Sequence, residues 1–210
     1  HGGNIGSQNA ALSTHGDFQP TEEWDGLAWI TRETTPLGSY HAKAGVVNAA
    51  LAMGGGGPSY SCAQKTGLWD GVSWSVVAPL NQMHKSSGAG GTTNDAILAG
   101  GYHVSPAFKD STELFDGVTW KMATPLGTGL SARADGDGSS AGSSGVLATG
   151  RHSSNTIVNV WDVYYPSTGS FSELIVTGSI ITDSFSLKSK SVNDRNTKFL
   201  LNGEGANNSI

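Results

Sequence analysis

Residues 69–74, WDGVSW, form a stretch that is repeated along the chain and decides its fold. The stretch returns at 115–120 as FDGVTW and occurs earlier at 24–29 as WDGLAW, and each of these three copies is followed by a Pro-Leu pair. A looser copy, YPSTGSF, spans residues 165–171. From one first aromatic residue to the next, the spacings are 45, 46 and 50 residues. Periods of this length are typical of propellers and solenoids, in which every repeat is one supersecondary unit.

The composition favours short strands joined by tight turns. The 210 residues include 30 glycines, and only 14% of the residues are charged. The net charge is −5 with no basic block, which argues against a nucleic-acid partner. No apolar run approaches the roughly 20 residues of a membrane span, so membrane insertion is not expected. The single cysteine, Cys62, excludes an intrachain disulfide and is expected to be buried.

The repeat divides the chain into units within one domain, residues 1–210. The predicted boundaries of four complete units and one half unit are 1–37, 38–82, 83–127, 128–177 and 178–210. The half unit supplies only two strands, at 185–191 and 198–203. We therefore expect an open arrangement, whose missing strands come from a longer chain or from a neighbouring copy.

The repeated stretch has a simple physical interpretation. An Asp-Gly pair between two aromatic residues predicts a hairpin, with the aromatics on neighbouring strands. One aspartate at the same place in each unit, as in Asp25, Asp70 and Asp116, indicates turn chemistry rather than catalysis. The aromatics are expected to fill the space between units, which predicts core positions for Trp29, Trp69, Trp74 and Trp120.

A glycine doublet precedes the aromatics by a constant distance. Gly55 lies 14 residues before Trp69, and Gly101 lies 14 residues before Phe115. A strand that ends in such a doublet, followed by two aromatics, resembles the kelch repeat. The resemblance implies an all-β, kelch-like β-propeller of about four and a half four-stranded blades, possibly part of a larger propeller. The Trp-Asp pairs could also suggest WD40 units, but the Gly-His dipeptide of that repeat is missing. With Asp-Gly between the aromatics and little charge, the repeat is further similar to kelch-type repeats of virus and phage tail or fibre proteins.

Candidate binding residues stand where strands of the predicted units begin or end at one edge. Loops at such an edge, held by a rigid scaffold, commonly carry binding sites. Histidine, tyrosine and arginine suit the stacking and hydroxyl recognition of sugars, although they could equally be solvated loop residues. No spacing is typical of a metal site, so neither a metal nor another cofactor is expected. The candidate rim comprises His41, His84, Tyr102, His103, Arg133, Arg151 and His152.

No catalytic pattern can be singled out in the sequence: there is no phosphate loop, no Ser-His-Asp arrangement and no pair of catalytic carboxylates. The resemblance implies a non-enzymatic structural or binding module, a virion tail or fibre component that recognises a cell-surface glycan or protein. It would be extracellular or part of a virion, and it would associate with other copies or with other parts of an assembly. The alternatives are an extracellular carbohydrate-active propeller enzyme and an intracellular kelch-type protein-interaction domain.

Overall fold

The described part of the chain is all-β. A computed structural model describes residues 3–16, 18–56, 61–101, 109–126, 147–151, 157–165, 169–177 and 186–189. Within these ranges there are sixteen strands and no helix. Side chains are described as far as residue 126, and only the backbone is considered after that point.

The strands form four-stranded antiparallel sheets in which the strands lie side by side in chain order. The first sheet contains β1 (Gly3–Ser7), β2 (Ala10–Thr14), β3 (Pro20–Trp24) and β4 (Trp29–Thr34). The second contains β5 (Ala42–Val46), β6 (Ala49–Met53), β7 (Thr66–Trp69) and β8 (Trp74–Val77). The third contains β9 (Gly88–Thr92), β10 (Asp95–Ala99), β11 (Thr112–Phe115) and β12 (Trp120–Ala123). The backbone of a fourth contains β13 (Leu147–Arg151), β14 (Ile157–Tyr165), β15 (Ser170–Thr177) and β16 (Ser186–Ser189).

Successive sheets meet through their first strands. Strand β5 packs between β1 and β9, and β13 packs against β9. No comparable contact joins β1 to β13 within the described strands. The largest core cluster lies between the second and third sheets and includes Leu51, Met53, Leu98, Phe115 and Trp120. Burial of these side chains stabilises the contact between the two sheets.

The predicted hairpins are confirmed. The two aromatics lie directly opposite each other in each of the first three sheets, with ring centroids 5.6, 5.4 and 4.9 Å apart in chain order. Oδ1 of each turn aspartate accepts two backbone N–H bonds from the residues two and three positions on, at 2.8–3.0 Å. In the looser copy Tyr165 pairs with Ser170 instead of Phe171, so the aromatics are out of register. The aspartates therefore serve the turns, as the repeat predicts.

A glycine near the end of each of the three first strands has a structural role that the sequence repeat did not reveal. Gly6, Gly45 and Gly91 have φ of +130°, +106° and +110°. A Cβ atom at any of the three would collide with the backbone of the paired second strand. Both the φ value and the close approach therefore require glycine at this position.

The aromatic core predictions hold with one exception. Trp69 and Trp120 are buried, and Trp74 is half-buried. Cys62 is buried, as expected. Trp29 is 50% exposed, so its predicted core position is wrong. The reason is that the equivalent tryptophans pack on the preceding sheet, and no sheet precedes the first one in the described chain.

The fourth sheet ends differently from the predicted unit boundary. Residues 185–191 were expected to open a half unit, but β16 pairs with β15 as the last strand of the fourth sheet. The strand predicted at 198–203 lies outside the described residues.

Candidate functional site

The first candidate, His41, lies in a buried contact between the first two sheets. It directly precedes β5, and its Nδ1 lies 2.7 Å from the carbonyl oxygen of Gly38. Its Nε2 lies 2.8 Å from Oγ1 of Thr14, at the end of β2. A carbonyl oxygen only accepts, so Nδ1 carries the hydrogen and Nε2 accepts from the threonine hydroxyl. Desolvation in this site lowers the pKa of His41 to about 4.

The second candidate, His84, is fully buried between the second and third sheets. Its Nδ1 lies 3.0 Å from the carbonyl oxygen of Gly100 and 3.3 Å from Oγ of Ser87. Its Nε2 lies 3.2 Å from Oε1 of Glu113, which is also fully buried. Nε2 thus faces the carboxylate without meeting the geometry of a hydrogen bond. His84 lies in the linker after β8, so its imidazole connects that linker to Gly100, which follows β10, and to Glu113 on β11.

The buried carboxylate of Glu113 is stabilised by its neighbours. Burial alone would raise its pKa, but the His84 imidazole and the N–H groups of Asn81 and Gln82 outweigh burial and lower the pKa below its usual value. Oε2 accepts from the backbone and side-chain nitrogens of Asn81 at 2.8 and 2.9 Å, and Oε1 accepts from the backbone N–H of Gln82 at 2.9 Å. The repeat gives no constant signal for this site, because the equivalent residue is Glu22 in the first sheet and Gly67 in the second.

These contacts correct part of the predicted rim. His41 and His84 are 6% and 0% exposed, so a ligand arriving from solvent does not reach either ring in this structure. Both rings connect neighbouring sheets instead. Arg151 is the last residue of β13 and is described by its backbone alone. The other four candidates, Tyr102, His103, Arg133 and His152, lie outside the described residues.

The residues adjacent to the two histidines form a surface at the junction of the second and third sheets. Tyr40 directly precedes His41, and Lys85 directly follows His84. The ammonium group of Lys85 lies over the Tyr40 ring, 4.3 Å from its centroid. We call this pair the Tyr40–Lys85 surface. Both side chains are half-buried, whereas both neighbouring imidazoles point inward. The sequence pattern pointed to these segments but could not tell which of two consecutive side chains faces solvent.

The backbone beneath this surface is unusual. Tyr40 and Ser86 have φ of +65° and +52°, a region that residues other than glycine seldom occupy. The two residues are joined by a hydrogen bond from the N–H of Ser86 to the carbonyl oxygen of Tyr40, 2.9 Å long. Gly56, which follows β6, lies close to the Lys85 side chain. Strained backbone held by its surroundings is a recurrent feature of binding and catalytic sites.

Metal and membrane sites are not evident in this part of the chain. The described residues contain no group of three or more histidine, cysteine or acidic residues placed to hold a metal ion. They also contain no helix of the length and hydropathy needed to cross a bilayer.

Comparison of the chain with protein-family models and with curated proteins found no match. The all-β class therefore rests on the structure itself.

Proposed function

We propose that the protein is a non-enzymatic binding and structural module of the kelch-like propeller type. The packing of β1, β5, β9 and β13 in succession supports this arrangement, because first strands that neighbour one another around an axis are how propeller blades meet. The binding surface is the edge at which the Tyr40–Lys85 surface lies. The observation that carries the proposal is the positive-φ backbone of Tyr40 and Ser86, which are joined by a hydrogen bond and lie close in sequence to the buried His41 and His84.

The proposed ligand is a cell-surface glycan or a protein that presents equivalent groups. An aromatic ring offers a stacking face for a sugar, and an ammonium group donates hydrogen bonds to hydroxyl or carboxylate oxygens. Tyr102 and His103 follow directly after Gly101, whose backbone packs against Ser87 and Lys85. Together with the resemblance of the repeat, these features support a role as a virion tail or fibre component acting outside the cell.

A glycan array tests the proposal. Replacing Tyr40 by Asn removes the ring while keeping a residue that tolerates positive φ. We expect Y40N and K85A each to weaken binding of the best glycan about tenfold or more, with little change in Tm. The matched control is K121A, because Lys121 lies beside the Asp116 turn at the opposite edge of the third sheet.

Two results would count against the proposal. One is binding of the Y40N and K85A variants that is unchanged relative to the control. The other is release of sugar from any bound glycan, which would establish an enzyme instead of a binding module.

A further inference from the structure

The charged side chains of the second and third sheets are divided between two opposite edges. Antiparallel strands in chain order place the hairpin turns at one edge and the starts of the first and third strands at the other. The turn edge carries exposed aspartates, among them Asp70 and Asp116, and Lys121 lies there 2.7 Å from Asp116. The opposite edge, which we call the lysine edge, carries four half-buried lysines: Lys43, Lys65, Lys85 and Lys109.

Two of these lysines are held on one linker, the segment between β8 and β9. Lys85 belongs to that linker, and Gly101 leaves no room for a Cβ atom against the Lys85 carbonyl oxygen. The carbonyl oxygen of Gly101 in turn accepts the backbone N–H of Lys109 over 2.9 Å. The Lys109 ammonium group donates to Oε1 of Gln82, in the same linker, over 3.0 Å. The two ammonium groups are therefore fixed next to one another in the fold rather than spread along it.

The positive charge extends to the segment that carries Tyr40. Burial is the main cause of the lowered pKa of His41, and the charge of Lys43 is the next. Lys43 therefore lies within electrostatic reach of the residue after Tyr40.

Carboxylates offset this charge in part. Glu113 and Asp110 both act on Lys109, whose pKa burial lowers and these two charges raise. Glu113 is fully buried and accepts its hydrogen bonds from Asn81 and Gln82, whereas Asp110 is exposed. The surface of this junction therefore keeps an excess of positive charge among the described residues.

The contact between Lys85 and Tyr40 decides what the surface offers to a ligand. The Lys85 ammonium group lies over the ring, 4.3 Å from its centroid, so it covers one face of the ring. A neutral sugar that stacks on that face has to displace the ammonium group, which is itself attracted to the ring. An anionic group, in contrast, is attracted to the ammonium group where it lies. The geometry therefore favours an anionic ligand over a neutral one.

We propose that the Tyr40–Lys85 surface selects glycans that carry a carboxylate, that is, acidic sugars, over neutral sugars. The inference rests on the proposed function and names the chemical class of its ligand. Ammonium groups bind carboxylates through charge-assisted hydrogen bonds, which neutral hydroxyl groups cannot match. The chain as a whole has a net charge of −5, so the lysine edge is where an anionic ligand is attracted instead of repelled.

A glycan array of matched pairs tests the selection. The probes are sialylated oligosaccharides beside the same oligosaccharides without sialic acid, and uronic-acid oligosaccharides beside their methyl esters. We expect the acidic member of the best pair to bind about tenfold or more tightly than its neutral partner. Since the preference is electrostatic, it should shrink when the salt concentration is raised to about 0.5 M.

Variants of Lys85 assign the preference to its charge. K85Q should bind the acidic glycan no more tightly than its neutral partner, and K85R should keep most of the preference because it keeps the charge. The matched control is K121Q, since Lys121 lies at the turn edge and its replacement should leave the preference unchanged.

The outcomes separate this inference from the proposed function. Equal binding of acidic and neutral partners, both weakened by Y40N, would overturn the selection for acidic sugars and leave the glycan-binding role standing. Binding of no glycan on the array would refute both. Polyglutamate bound as tightly as the best acidic glycan would show that charge alone is recognised, and it would also overturn the selection of sugars.

Discussion

Thr66 and Thr112 occupy the same position in neighbouring sheets, but their hydroxyl groups meet different surroundings. Oγ1 of Thr66 accepts the indole N–H of Trp120, and both residues are buried. Oγ1 of Thr112 is buried with no hydrogen-bond partner in the part of the chain described. The two hydroxyl groups therefore differ in whether an indole N–H among the described residues reaches them.

This pair of threonines gives a matched test at the residue scale. Thr66→Val should lower the free energy of unfolding by about 1–3 kcal/mol, because it leaves the buried indole N–H of Trp120 without an acceptor. Thr112→Val should be neutral or slightly stabilising, because it removes a hydroxyl that is already unpaired. Urea unfolding of both variants measures the difference. Equal losses of stability would show that the Trp120 contact contributes nothing of its own.

His41 should make stability depend on pH in a defined window. Its folded pKa is about 4, below the ordinary value of 6.5, so the unfolded chain binds a proton more readily. Stability should therefore be constant above about pH 6.5, fall between pH 6.5 and 4, and level off below, with a total loss on the order of 3 kcal/mol. Unfolding in urea at several pH values measures this. In His41→Gln the slope within that window should largely disappear.

A loss of stability at more acidic pH would instead come from carboxylates, which titrate below the window expected for His41. The pKa of Glu113 is lowered overall, so its contribution is present above the ordinary glutamate value and is lost as the pH falls through the lower folded value. A loss of stability confined to pH below 4 in the wild-type chain would show that His41 is not the responsible group.

At the scale of the strand hairpins, Trp29 and Trp120 occupy the same position of the repeat, on the fourth strand, but their environments differ. Trp120→Ala should cost about 3–5 kcal/mol, because the side chain is 5% exposed and fills the largest core cluster. Trp29→Ala should cost less than about 1 kcal/mol in the monomer, because half of its surface is already in water. Denaturant unfolding at a concentration low enough to exclude association measures both. Equal costs would mean that the first sheet is covered in solution.

The hairpins are also the part of the structure that the sequence predicts best. The stretch between Trp69 and Trp74 is local, so its turn, its register and the role of Asp70 follow from six consecutive residues. The exposure of Trp29 could not be predicted in this way, because it depends on whether another sheet precedes the hairpin. The inward orientation of the His41 and His84 side chains could not be predicted either, because it depends on contacts with the strand ends of a neighbouring sheet.

For the whole molecule, the repeat predicted an all-β chain of four-stranded units, and the described sheets confirm that class. The boundary near residue 178 was harder to predict, because the fourth unit departs from the repeat in both spacing and aromatic register. The propeller arrangement is the proposal that the order of the first strands supports. For the candidate site, the sequence pattern predicted which segments lie at the strand ends. It could not predict which side chains of those segments form the Tyr40–Lys85 surface, because that depends on backbone conformation.

The close aromatic pairs of the first two hairpins have a spectroscopic consequence. The rings of Trp24 and Trp29 are 5.6 Å apart at a 48° angle, and those of Trp69 and Trp74 are 5.4 Å apart at 43°. Two indoles held at such a distance and tilt couple their electronic transitions and give a paired positive and negative band in circular dichroism. The third hairpin combines Phe115 with Trp120 and lacks a second indole. Among the described hairpins, the coupled band therefore reports the closure of the first two, and replacing Trp29 by Phe would leave the second of these as its source.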